Sequence, residues 1–180
     1  MNKRIKQMRK KLKERKGSIF IEYTIGLLML VVFVAFCVDI LLIGHKHYYI
    51  GEEMGNISRT LSVQSGAEMM TPTGYPGGDE AYQTSGEILS RMELIAEAAG
   101  FERSEWDLYV VETNQDGDVV RSGKLSETSD FKADYLNRIS VQFSGTFDWA
   151  ILSSAVPSVG TDKLLEIERI SMAEYLRNYD

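Results

Sequence analysis

The sequence predicts a membrane-anchored α+β protein: a long N-terminal transmembrane helix, then a small head with one or two helices and an antiparallel sheet. Three observations carry this expectation. An apolar run from Ile19 to Ile43 contains only two charged residues, Glu22 and Asp39. Charge divides sharply across that run. Beyond it, short segments with strand or helix periodicity are separated by clusters of turn residues.

The first 17 residues hold nine basic residues (Lys3, Arg4, Lys6, Arg9, Lys10, Lys11, Lys13, Arg15, Lys16) and one acid, Glu14, a net of +8. Residues 18–180 hold 11 basic and 25 acidic residues, a net of −14, so the overall −6 averages two unlike pieces. A split this steep across an apolar segment points to a membrane protein. Several classes fall away. Cys37 is the single cysteine and lies inside the apolar run, which rules out an intrachain disulfide framework. The −14 portion lacks the basic face a nucleic-acid-binding domain needs. Two histidines, His45 and His47, at i and i+2 on different helix faces, make poor metal geometry.

As a helix, the 25 residues Ile19–Ile43 extend roughly 37 Å, enough to cross a bilayer core about 30 Å thick with some tilt. The interior, Leu27 to Phe36, is apolar on every face, so a surface-lying amphipathic helix is the poorer fit. The basic leader is expected to stay cytoplasmic and the remainder to lie outside. Tyr48 and Tyr49 suit the outer interface, with Lys46 and the histidines reaching water. A cleaved secretory signal is the competitor, but the run is too long and Gly44–Tyr48 offers no small-x-small site. Asp39 is expected in the outer headgroups.

Glu22 needs its neighbours. They read Lys16-Gly17-Ser18-Ile19-Phe20-Ile21-Glu22-Tyr23: a basic leader ending in glycine, then an apolar helix with glutamate as its fifth residue. This resembles the class III signal peptide of type IV pilins, cut by a membrane aspartic peptidase on the cytoplasmic side. The Glu22-Tyr23 pair is similar to the Glu-Tyr signature of the Flp branch, the tight-adherence (Tad) pili. A chain with an added ectodomain is more similar to the TadE/TadF-like pseudopilins of that machinery. The resemblance covers about residues 10–50. It implies Gly17 before the scissile bond and Ser18 as the mature N-terminus, with Lys10, Lys11, Lys13, Arg15 and Lys16 as the leader's basic signal. The absence of an extra-membrane cysteine departs from pilins with disulfide-stabilised ectodomains.

After cleavage Ser18 would carry an α-amine, with a reference pKa of about 8, and Glu22 lies one helical turn further on the same face. Glu22 then neutralises either its own N-terminus or that of a neighbouring subunit, a register pin for assembly. Tyr23 either hydrogen-bonds and stacks in the bundle or is an interfacial aromatic.

The segment from Tyr48 to Ala67 is expected to continue the helix, with Tyr49, Ile50, Met54, Ile57 and Leu61 on one stripe and Glu52, Glu53, Asn56 and Arg59 elsewhere. Gly51 and Gly55 are a small-xxx-small pair or a weak point in the helix. The stretch Thr71–Gly78 is turn chemistry and marks a linker. Tyr82–Ala99 reads as a second helix, its face set by Ile88, Met92, Ile95 and Ala99, with Gly100 as its stop. Trp106–Glu112 alternates as a strand, and Asn114–Asp118 is a hairpin loop into Val119-Val120. Those carboxylates invite comparison with a calcium loop, but the order of ligands and glycine does not match. Arg138–Phe147 is the clearest strand, with Gly145 marking a bulge. Leu164–Tyr175 fits a final strand, though Leu164, Ile167 and Ser171 also suit a helix.

The expected organisation is therefore a leader (1–17), a transmembrane helix (18–44), an extracytoplasmic helix continuation (45–70), a linker (71–80) and an α+β head (81–180). No nucleophile elbow, phosphate loop or Cys/His pattern is present, so no enzyme, cofactor or metal is expected. The resemblance implies a pilin-like structural subunit in the inner membrane, N-terminus inside, or on the cell surface once assembled. Its implied partners are a prepilin peptidase, other pilin or pseudopilin subunits, the Tad assembly platform and the bilayer, with no nucleic acid. Two alternatives stand beside it: an uncleaved single-pass adaptor or sensor in a secretion or conjugation complex, and a membrane-anchored hydrolase.

Overall fold

The computed structural model describes residues 2–151 and 163–174, with side chains from Ser18 onward. Helix α1 spans Asn2–Gln64. Its backbone passes unbroken through Gly17 and Ser18, so leader and apolar run share one helix. The leader is dominated by Lys and Arg, good helix formers, and a single interior glycine costs only about 1 kcal/mol. The side chains of the leader, Lys10, Lys11, Lys13, Arg15 and Lys16 included, lie outside the described residues.

The chain divides into two compact units, one built on Met1–Leu41 with Trp149–Val159, the other on Leu42–Asp148 with Gly160–Asp180. The second is the α+β head. Its four-stranded sheet has the order β3-β2-β5-β6, from Val119–Lys124, Trp106–Thr113, Arg138–Phe147 and Lys163–Met172. Every neighbouring pair is antiparallel. The inward residues Trp106, Leu108, Val110, Ile139, Val141, Phe143, Leu165 and Ile167 share one core with two helices. Helix α1 contributes Ile50, Met54, Ile57 and Leu61; helix α2 (Ser85–Ala98) contributes Ile88, Leu89, Met92 and Ala96. The sequence stripe on α1 is thus the spine of the head's core, while Tyr49 stays exposed.

Helix α1 stops at Gln64, short of the expected Ala67. Ser65 turns to φ 53° and Gly66 to φ 142°, and Gly66–Ala67 form β1, paired with β4 (Phe131–Lys132). A Cβ on Gly66 would lie 2.2 Å from the Phe131 carbonyl oxygen, so only glycine admits this pairing. Helix α2 starts three residues later than Tyr82, the expected start, because Thr84 and Glu87 form a reciprocal capping box. It ends in a Schellman turn: Phe101 N–H donates to Ala96 O, Gly100 N–H to Glu97 O, and Gly100 has φ 78°.

The Asn114–Asp118 segment is the expected hairpin loop, closed by Asn114 N–H to Asp118 O (2.9 Å) and by Asp118 N–H to the Asn114 side chain (2.8 Å). The expected bulge at Gly145 is absent. Both neighbouring strands pair through it in continuous register, and the irregularity lies instead at Glu112/Thr113. Glycine is needed at 145 for space: a Cβ would sit 2.7 Å from the Phe143 ring and 3.1 Å from the Phe101 ring. From Leu164 onward the chain is strand β6, with Leu165 and Ile167 facing the core; Tyr175 lies outside the described residues.

Candidate assembly helix

The residues of the Gly17–Tyr23 motif fall on two sides of one helical turn. Ser18 and Glu22 are brought together, the Ser18 hydroxyl donating to Glu22 Oε1 at 3.3 Å. That contact fixes the carboxylate beside the first residue after Gly17. Tyr23 is 77% exposed, points elsewhere, and makes no hydrogen bond among the described residues. Thr24 folds its hydroxyl back onto Phe20 O, so its polarity is spent within the helix.

From Ser18 to Leu41 the apolar surface is open on nearly all sides. Phe20, Leu27, Leu28 and Met29 are each exposed, and only Ala35 and Asp39 are buried in this stretch. Asp39 is 1% exposed, covered by its own chain. Its two carboxyl oxygens accept the Ile151 N–H at 3.0 and 3.3 Å. One turn away, Phe36 stacks on Trp149 with centroids 6.4 Å apart. The partners lie 112 residues along the chain, beyond the reach of local pattern.

Polar bonds, as well as the apolar stripe, hold the later part of α1 in the head. The Ser171 hydroxyl donates to Ser58 O at 2.9 Å, the Ser62 hydroxyl to Met172 O, and Glu174 N–H to Ser62 O at 2.9 Å. These bonds stitch the end of β6 to one face of the helix. Glu53, expected on the polar side, is buried and ion-paired with Arg91 of α2 at 2.9 Å. Arg91 also donates to the Gln83 side chain. Gly51 leaves room for Arg169, whose guanidinium would lie 3.3 Å from a Cβ there, whereas nothing approaches Gly55 within 4 Å. Lys46 donates to Gly100 O at 2.9 Å and lies 4.4 Å from the centre of the Phe101 ring. It thereby places a cation at the C-terminal end of α2, whose own last turn has no basic residue. Burial pulls the Lys46 ammonium below its usual pKa, and the charge of Glu105 partly opposes that.

The head holds one further carboxylate that the sequence did not mark. Glu112 is fully buried on the core side of β2, where alternation alone would place an apolar residue. Its Oε1 accepts Asp134 N–H and Asn137 Nδ2, each at 2.7 Å, and Arg121 Nε lies 3.8 Å from Oε2. It fastens the connection between β4 and β5 to the sheet. On the outer face, the neighbouring Lys124 holds the Asp107 carboxyl below the usual carboxylate range. No group of three or more His, Cys, Asp or Glu side chains among the described residues is disposed to hold a metal.

Among the described residues, one helix is long and apolar enough to cross a membrane, the stretch from Ser18 to Gln64, and behind it lies an α+β head with antiparallel sheets. No family model, curated protein or solved structure matches this chain.

Proposed function

We propose that the chain is a pilin-like structural subunit, a minor pilin or pseudopilin of a Tad-type pilus or related secretion machine. It is inserted in the inner membrane with its N-terminus inside, processed at Gly17–Ser18, and assembled through its apolar helix. One observation carries the reading: the Ser18–Glu22 contact at the start of an otherwise open apolar helix whose continuation is the spine of the head. A new α-amine at Ser18 would arise within one turn of the Glu22 carboxylate. In the apolar interior of a helix bundle, breaking such a pair costs about 3–5 kcal/mol, enough to select one stagger of neighbouring subunits.

N-terminal sequencing of the membrane protein, with and without a prepilin peptidase, tests processing. A mature chain beginning at Ser18 is expected; a full-length chain despite active peptidase sinks the reading. In the same system Glu22→Ala is expected to be inserted and cleaved but not assembled, and normal assembly would refute the register role. A second reading is an uncleaved single-pass protein whose outer domain is an adaptor or sensor in a secretion or conjugation complex. The unbroken helical backbone through Gly17 and Ser18 favours it, because a peptidase must first unwind that turn.

A further inference from the structure

The burial of Asp39 has no role in subunit assembly as argued above. It is a carboxyl group near the end of an apolar span, turned toward its own chain and bonded to the backbone N–H of Ile151. From Ser18 to Asp39 the helix advances 21 residues, about 31 Å, which places Asp39 at the outer edge of a hydrocarbon core about 30 Å thick. Trp149, which stacks on Phe36 beside it, is the residue type that settles at that boundary. The sequence from Trp149 to Thr161 contains no charged residue. Ala150 and Ile151 are exposed.

From these observations we infer that the turn at Trp149–Ile151 is a second membrane-contact element, lying in the outer headgroup boundary and clamped to the span by Asp39. The physical requirement is specific. Irregular backbone at membrane depth is tolerated only where its polar groups are satisfied internally, and the Asp39 carboxyl supplies the acceptor for the Ile151 N–H. The same bond gives Asp39 a partner in a place where an acid is otherwise costly. The occupant facing Ala150 and Ile151 is the outer leaflet of the bilayer. This inference rests on the membrane-spanning part of the proposed function and is independent of processing and assembly.

Tryptophan fluorescence of the full chain in phosphatidylcholine vesicles tests it, with bromine carried at shallow or deep acyl positions. Trp106 is buried in the head core, so the difference between the parent chain and Trp149→Phe isolates Trp149. A Leu28→Trp, Trp149→Phe variant reports on the span itself. The expected result is that shallow bromine quenches Trp149, deep bromine quenches the residue-28 probe, and iodide reaches neither. Quenching of the span probe with Trp149 open to iodide alone would overturn the inference and leave the span standing. Failure of both probes to respond to bromolipid would overturn both readings. Asp39→Ala is expected to red-shift Trp149 emission and open it to iodide with the span probe unchanged, while Asp39→Asn, which keeps an acceptor oxygen, shifts it less. An unmoved Trp149 in Asp39→Ala would remove Asp39 from the role of clamp.

Discussion

Replacing Glu112 by alanine should severely destabilise the head. The side chain is fully buried, and Oε1 alone accepts two bonds at 2.7 Å, from Asp134 N–H and Asn137 Nδ2. Hydrogen bonds to a charged group contribute roughly 1.5–3 kcal/mol each, and a buried donor left without an acceptor costs about 1–3 kcal/mol. Alanine strands both donors, so the loss of the two bonds together should be about 3–6 kcal/mol. Glutamine keeps the volume and an acceptor oxygen, so its loss should be about 1–2 kcal/mol, within the range for one impaired bond. Urea unfolding of the full chain in detergent micelles, followed by Trp106 fluorescence and near-ultraviolet circular dichroism, measures both. Trp106 reports on the core because it stacks on Phe143 with centroids 5.8 Å apart. A Glu112→Ala variant within 1 kcal/mol of the parent would refute the claim that this carboxylate anchors the chain between β4 and β5.

Two further outcomes follow from the head's packing and charge. Gly145→Ala drives a methyl group to 2.7 Å from the Phe143 ring; overpacking of that kind costs about 1–3 kcal/mol, read by the same unfolding curves. Asp107→Asn removes the ion pair with Lys124, an exposed pair worth about 0.2–1 kcal/mol at neutral pH. Because folding lowers the Asp107 pKa, its contribution is fully present above the unfolded carboxylate value and is lost as pH falls through the depressed folded value. Parent and variant should therefore converge in stability in acid, and a gap that stays constant down to acid pH would contradict the assignment.

Several elements were legible because their signals are local. The α1 stripe, the Ile88–Met92 face of α2, the Gly100 stop and the alternation of β5 depend on side-chain period and on residues within one or two turns. Other features were hidden for the same reason. Glu112 reads as an ordinary polar letter in a strand, and its partners Asn137 and Asp134 lie more than 20 residues away. Glu53 looked solvated until Arg91 of another helix closed over it. Gly145 suggested a bulge because a glycine in a strand has two uses, and only the position of the Phe101 and Phe143 rings chooses between them.

By itself the sequence determined the long apolar helix, the division of charge across it, the Ser18–Glu22 spacing and most of the strands. These follow from hydropathy, charge and backbone period, which are properties of neighbouring residues. The tertiary structure alone decided that Ile50, Met54, Ile57 and Leu61 of that helix pack into the core of the head, and that Asp39 bonds to a backbone 112 residues later. Burial is a property of what covers a side chain. For Asp39 and Glu112 the covering groups come from distant segments, which no local pattern can specify.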